Sequence, residues 1–136
     1  MPRRHRSREC ALQVLYLMDA GGQDADAALA GFWAGFARDE DVAAYAETLV
    51  KGVGAAREEL DGIIERRSTN WRVSRMAVVD RNILRLAVYE MRFCRDVPGR
   101  VVLDEAIELA KRFGSEESRA FVNGILDGIL SEMNAP

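Results

Sequence analysis

Histidine, cysteine and proline are all scarce in this chain of 136 residues. The single histidine, His5, stands in a basic N-terminal segment, so no helical histidine pair can be assembled into a zinc or iron site. The two cysteines, Cys10 and Cys94, lie far apart without the paired spacing of a metal site, which indicates buried thiols in a reducing compartment rather than a disulfide. We therefore expect no metal site and no cofactor.

The patterns that mark membrane spans, secretion and common catalytic loops are also missing. No apolar run has transmembrane length, and no apolar segment follows the basic N terminus as a signal peptide requires. Neither a G-x-x-x-x-G-K-[ST] phosphate loop nor a G-x-S-x-G nucleophile elbow occurs. The adjacent acids Glu116 and Glu117 fit a helix start better than a general acid–base pair. We expect a cytoplasmic protein that has no membrane partner and is not an enzyme.

Hydrophobic residues make up 49% of the chain and charged residues 30%, a composition that can bury one substantial core. Alternating runs of valine, isoleucine and threonine are absent, so there is no strand signal, whereas helical spacing recurs along the whole chain. The sequence predicts an all-α fold in which two small helical bundles, at about residues 7–67 and 74–132, form one compact domain.

The central stretch, residues 75–94, should be a buried helix around which the other helices pack. Its apolar residues return at spacings of three and four until little polar surface is left, and Ser74 can cap its start. Arg81, Arg85 and Arg92 fall along one line of this helix. We expect this narrow charged face to be open to solvent or to a partner.

Positive charge is concentrated at the N terminus. The first ten residues carry a net charge of +3, from four arginines and one glutamate, and the other 126 residues sum to -6. A first helix is expected from about Ser7, its cap, to Ala20, with Arg6 and Tyr16 on its polar face. An exposed ring near arginines is typical of single-stranded nucleic-acid binding, in which cations hold phosphates and the ring stacks on a base. Alternatively, Tyr16 covers a neighbouring helix and the arginines form a disordered, solubilising tail.

Two further helical patterns complete the N-terminal half. Asp24 or Asp26 can cap the second helix. Its apolar side contains Leu29, Phe32, Trp33 and Phe36. A third pattern over residues 42–64 fits either one bent helix, which we favour, or two pieces hinged near Gly52 and Gly54.

The C-terminal half adds two more helices. One is expected over residues 101–113, with Gly114 as its terminator, and the last is expected to start at a Ser115 cap. Gly124 lies inside this last helix, where glycine costs about 1 kcal/mol relative to alanine. That cost indicates close approach of another backbone at Gly124.

Four blocks of the sequence, in order and over nearly the whole chain, resemble one protein family. The blocks are RRHRSRECALQVLY, DRNILRLAVYE followed by DVP, DEAIELAKRFG, and FVNGILD. They are similar to the NusB family of transcription antitermination factors. The resemblance implies two small helical bundles that recognise the boxA element of nascent RNA together with NusE, a ribosomal protein that doubles as a transcription factor. It also implies an antitermination complex with RNA polymerase, notably on ribosomal RNA operons.

The resemblance further implies which residues bind. RNA contact falls on Arg4, Arg6, Arg8, Tyr16, Glu117 and Phe121. Contact with NusE falls on the central helix around Asp80. The sequence leaves open whether the free protein forms a homodimer in the absence of RNA. The same module opens ribosomal RNA cytosine methyltransferases, but no catalytic domain is expected here because little sequence follows FVNGILDGIL.

Two rival functions differ from RNA binding. A helical scaffold would bind only protein, through the acidic body and the Asp80 face, and would leave the basic start idle. A DNA-binding repressor is disfavoured because the basic residues lie at a terminus rather than along a recognition helix framed by a tight turn.

Overall fold

The computed structural model describes residues 2–35 and 38–134, and within these ranges it contains seven α-helices and no strand. The helices are α1 (Pro2–Gly21), α2 (Ala25–Ala34), α3 (Glu40–Ala55), α4 (Arg57–Arg67), α5 (Val78–Phe93), α6 (Gly99–Phe113) and α7 (Ser118–Asn134), and a 3₁₀ turn (Val73–Arg75) precedes α5. The all-α prediction is confirmed. No helix in the described ranges is both long and apolar enough to cross a membrane.

The helices group into two compact units, Met1–Ala55 and Ala56–Pro136. We predicted the division between residues 67 and 74, but α4 packs against α5 and α7 and therefore belongs to the second unit. The favoured single bent helix over residues 42–64 is also wrong. The chain leaves helical geometry at Ala56 (φ -104°, ψ 12°), so α3 and α4 are separate helices.

In the first unit, α1 packs against both α2 and α3. Asp24, one of the two predicted caps, starts α2 because its carboxylate accepts a hydrogen bond from the Ala27 N–H at 2.8 Å. Leu29 and Phe32 are buried as expected. Trp33 is half-buried, and Phe36 lies outside the described residues.

Helix α1 begins at Pro2, five residues before its predicted start at Ser7. Ser7 is not a cap: its side chain is buried, and its hydroxyl donates to the Val42 carbonyl of α3 at 2.8 Å. A serine inside a helix can make such a bond to a neighbouring helix, and nothing in the local sequence distinguishes that use from capping. The arginines of the N terminus therefore lie on a helix rather than in a disordered tail.

In the second unit, α5 packs against α4, α6 and α7. Every residue from 82 to 88 is buried, so the prediction of a central buried helix is confirmed. Ser74 lies in the 3₁₀ turn and does not cap α5. The residue at the cap position is Ala77, which makes no side-chain hydrogen bond.

Helices α6 and α7 complete the second unit. Gly114 ends α6 as predicted, whereas α7 begins at Ser118, three residues after the expected Ser115 cap. Gly124 is exposed, and a Cβ added there would meet no atom within 4 Å. The prediction of a close backbone approach at Gly124 is therefore wrong.

Candidate nucleic-acid interface

The arginines at the start of α1 are held by partners within the first unit. Arg3 donates to the Asp39 carboxylate at 2.5 Å, in an ion pair exposed to solvent. This hydrogen bond, with the positive charge beside it, lowers the pKa of Asp39 below its ordinary value and raises that of Arg3. Asp39 also accepts from the Val42 N–H at 3.4 Å, so one carboxylate both caps α3 and holds the N-terminal turn of α1.

Two of the predicted phosphate-binding arginines keep access to solvent. The Arg4 guanidinium lies over the Tyr45 ring, 4.4 Å from its centroid, which fixes its position on the α1–α3 side of the unit. Arg6 is exposed and pairs with Glu9 at 3.2 Å. Since His5 also lies 3.4 Å from Glu9, that carboxylate orients two groups of the basic turn. Both arginines are thus positioned in advance, and the charge of Arg6 is partly balanced by Glu9.

Arg8 does not fit the predicted surface role. Its side chain is almost wholly buried, with the residue 4% exposed, so its guanidinium is not displayed for a phosphate. The local spacing of charges does not reveal this, because an arginine next to other arginines is typical of an exposed segment. We therefore interpret Arg8 as a structural residue of α1.

Tyr16 lies almost three turns beyond Arg6 on the same helix, and the residue is 44% exposed. The predicted exposure is confirmed, and the alternative in which the ring covers a neighbouring helix is wrong. The first unit thus presents an aromatic ring on the helix that carries Arg4 and Arg6. Contact of these three residues with RNA stays a prediction.

Glu117 and Phe121 lie in the second unit, beside Asp80 of α5. The Ser118 hydroxyl donates to the Asp80 carboxylate at 2.6 Å and accepts a hydrogen bond from the Ser115 N–H at 2.9 Å. The Ser115 hydroxyl in turn donates to Glu117 at 3.2 Å. This chain of short polar contacts fixes the start of α7 against α5, so the residues that the family resemblance assigns to RNA and to NusE are direct neighbours.

These residues surround an open cavity of about 210 Å³, which we call the α5–α7 groove. Its walls include Trp71, Arg75, Met76, Asp80, Glu117 and Phe121. Trp71 and Arg75 were not predicted as site residues, because they lie in a connection without helical periodicity. The available signal was a tryptophan close to arginines in a mostly polar segment.

The charged face predicted along α5 is paired with α4: it is buried at Arg85 and exposed at Arg92. The Arg85 guanidinium makes two hydrogen bonds with the Asp61 carboxylate, at 2.7 and 3.1 Å, and its side chain is 4% exposed. Arg92 donates to Glu59 at 2.5 Å. Both carboxylates come from α4, so the charges of these two helices pair with each other. The residues at the start of α5, including Asp80, are partly exposed and remain accessible to a partner.

Arg4, Arg6 and Tyr16 belong to the first unit, and Glu117, Phe121 and Asp80 belong to the second. Within each unit the structure brings the predicted residues onto one helix or around one groove. The first set combines an aromatic ring with two cations, which is the chemistry that single-stranded nucleic acids require, whereas the second set combines an aromatic ring with two carboxylates.

Comparison with known proteins identifies the family. The model of the NusB family matches residues 5–131. The transcription antitermination protein NusB of Sorangium cellulosum is 49% identical over 133 residues, which cover 98% of this chain and 95% of that protein. Among solved structures, T. maritima NusB matches with a TM-score of 0.86 at 37% identity, covering 95% of this chain and 91% of that one.

A second solved structure contains the antitermination factors NusB and NusE in complex with dsRNA. It matches with a TM-score of 0.88 at 30% identity, covering 97% of this chain and 98% of that one. The matches extend over nearly the full length in every case. The chain therefore belongs to the NusB family of transcription antitermination proteins, which are not enzymes.

Proposed function

We propose that this chain binds boxA-like single-stranded RNA jointly with NusE, in the cytoplasm, within the antitermination complex of RNA polymerase on ribosomal RNA operons. The observation that carries the proposal is the exposed Tyr16 ring on the same helix as two positioned arginines. The solved complex of NusB, NusE and dsRNA supports both partner classes.

Each residue has a distinct role in this proposal. Arg4 and Arg6 hold phosphates, which makes affinity depend on salt, and Tyr16 stacks on a base. Glu117 and Phe121, in the second unit, contact RNA, and the surface around Asp80 binds NusE. Arg8 is left out of the RNA-binding set because it is buried.

Replacing Tyr16 by alanine tests the stacking role. Loss of one base–aromatic stack should weaken RNA binding by about 1–3 kcal/mol, roughly 5- to 150-fold. Because the ring is exposed, the melting temperature should stay close to that of the parent. Fluorescence anisotropy with a labelled boxA-like RNA measures the affinity, and circular dichroism checks the fold.

Tyr16→Phe is the matched control, since it keeps the ring and removes only the hydroxyl. It should bind RNA as the parent does. Parental affinity in Tyr16→Ala would exclude stacking at this position. A double-stranded RNA of the same sequence, included in the titration, shows whether the exposed bases of a single strand are required.

The scaffold that binds only protein is favoured by one observation: Arg3 and Arg6 are paired with carboxylates of the chain itself. In that case NusE would bind tightly while neither the protein alone nor the pair would bind RNA. Salt-dependent RNA binding without NusE would exclude this second function.

A further inference from the structure

We propose that His5 makes RNA binding by the basic turn of α1, residues 3–6, depend on pH. Once protonated, His5 pairs with the Glu9 carboxylate and leaves the Arg6 guanidinium free to hold a phosphate. The inference rests on the proposed RNA-binding function and adds to it a positioning residue and a pH dependence.

The Glu9 carboxylate is shared by two basic side chains. Its Oε1 accepts a hydrogen bond from the Arg6 guanidinium at 3.2 Å, and its Oε2 lies 3.4 Å from His5 Nε2. Glu9 is 4% exposed, so water screens its charge poorly and the carboxylate requires a cation beside it. The side chains of His5 and Arg6 are both more than two-fifths exposed, so both reach solvent. Either of them can therefore balance Glu9 from the solvent side.

Protonation of His5 changes this balance. Histidine is the side chain that ordinarily changes charge between pH 5 and pH 8. When the imidazole takes up one proton from solvent, two cations face one carboxylate, and the net charge of the basic turn rises by one. Hydrogen bonds between ionised groups are about 2.7–2.9 Å long, so the 3.4 Å contact of His5 with Glu9 should tighten. Arg6 then binds a phosphate without leaving a buried carboxylate unpaired.

The helices α2 and α3, which pack against α1, bring further charged groups to the first unit. Most of their acids, and the acid that precedes α3, are engaged by arginines other than Arg6. The pairs are Asp39 and Asp41 with Arg3, and Glu40 and Glu47 with Arg38. The remaining charged residues of these two helices, Asp26 and Lys51, are exposed. Glu9 is therefore the carboxylate of the first unit that couples His5 to Arg6.

The affinity for RNA should rise as pH falls from 7.5 to 5.5. One additional exposed ion pair with a phosphate corresponds to a gain of about fivefold at most. Because RNA binding and protonation are coupled, RNA must in turn favour the protonated form of His5. Burial raises the pKa of the Cys10 thiol, which keeps its titration above this pH range.

The test is a titration of a labelled boxA-like RNA at pH 5.5, 6.5 and 7.5, at one low ionic strength, followed by fluorescence anisotropy. His5→Gln removes the only histidine and leaves the N-terminal amine in place. His5→Arg introduces a permanent cation. The matched control adds Gln23→His to His5→Gln, which moves the histidine to the exposed connection after α1, at the other end of that helix.

The parent should bind RNA about fivefold more tightly at pH 5.5 than at pH 7.5. His5→Gln, with or without Gln23→His, should keep the weaker affinity at all three pH values, whereas His5→Arg should keep the tighter one. Arg6→Gln should bind more weakly throughout and lose most of the pH dependence, because protonated His5 then has no guanidinium to release.

Proton NMR of the single histidine reports its protonation directly. At pH 6.5, addition of RNA should shift the His5 ring signals toward those of the protonated form. Ring signals that do not move while RNA binds would contradict the coupling.

Equal affinities of the parent and His5→Gln at each pH, or a pH dependence that persists in His5→Gln, would overturn the inference, and the proposed function would stand. A full pH dependence in Arg6→Gln would overturn the release of Arg6 by His5. Absence of RNA binding at every pH, also when NusE is added, would refute the proposed function and this inference together.

Discussion

Arg8 and Tyr16 differ in burial, and this difference distinguishes a residue that stabilises the fold from a residue that can contact RNA. Both lie on α1 near a basic segment, and both were predicted to contact RNA. Arg8 is 4% exposed and Tyr16 is 44% exposed. Spacing along a helix gives the direction of a side chain, but only the packing of other elements decides whether that direction leads to solvent.

Two glycines, Gly124 in α7 and Gly114 before it, should respond in opposite ways to replacement by alanine. Gly124→Ala should stabilise the protein by about 0.5–1 kcal/mol, because the new methyl meets no atom and the unfolded chain loses conformational freedom. Gly114→Ala should destabilise it, since a methyl there would collide with the Ser118 side chain and lie 2.8 Å from the Ala110 carbonyl oxygen. Urea denaturation of both variants measures the difference.

The two substitutions are chemically identical, so each controls for the other. A destabilised Gly124→Ala variant would mean that this position has a packing role after all. Because Gly114→Ala also displaces Ser118, it should disturb the hydrogen bond from Ser118 to Asp80.

At the scale of elements, α4 and α5 are joined by charges rather than by apolar contact alone. The buried Arg85 depends on Asp61 of α4 for its countercharge. Asp61→Asn should destabilise the protein by about 3 kcal/mol, because it leaves a buried guanidinium without a compensating charge. The double variant Asp61→Leu with Arg85→Met, which removes both charges, should cost less than the single change.

A double-mutant cycle in urea denaturation, made of Asp61→Leu, Arg85→Met and their combination, measures this coupling. Additive effects of the two changes would show that the Arg85–Asp61 pair contributes nothing specific to the packing of α4 on α5. The exposed pair of Arg92 and Glu59 on the same two helices serves as a comparison. Its removal should have little effect, as is usual for surface ion pairs.

The contact between α1 and α3 should respond to acid. Arg3 lowers the pKa of Asp39 in the folded protein, so the charged carboxylate stabilises the fold above the pKa of Asp in the unfolded chain. That contribution is lost as pH falls through the folded pKa. Asp39→Asn retains a capping side chain and removes the charge. The melting temperature of this variant should therefore be lower than that of the parent at pH 7. At about pH 2 the two melting temperatures should be equal.

Thermal scans at a series of pH values follow this difference. The effect is expected to be small, because both side chains are exposed. If the difference in melting temperature between the variant and the parent is the same at pH 7 and at about pH 2, the destabilisation comes from altered cap geometry and not from the lost charge.

For the whole molecule, the local sequence was sufficient for most of the helices, but not for the break between α3 and α4 or for the grouping of the helices into units. The apolar spacing of α5 predicted its central position, because a helix without a polar face has to be surrounded. The break at Ala56 was not predictable in the same way. The apolar pattern continues through it, and the glycines nearby indicated a bend rather than a division between units.

The candidate site was predictable only in part, for a related reason. Tyr16 could be placed because exposure of one helix face follows from periodicity. Trp71 and Arg75 could not be placed, since they come from a non-periodic connection that only the fold brings beside Phe121. Residues of this kind depend on contacts between distant parts of the chain, and local spacing contains no information about such contacts.

Joint recognition of RNA and NusE is the central claim, and one titration tests it most directly. A boxA-like RNA and a scrambled RNA of equal length are each titrated with the protein, alone and with NusE. The account predicts salt-dependent binding of the boxA-like RNA that tightens when NusE is present, with weaker binding of the scrambled RNA. Equal binding of the two RNAs in the presence of NusE, or no RNA binding by the pair, would contradict it.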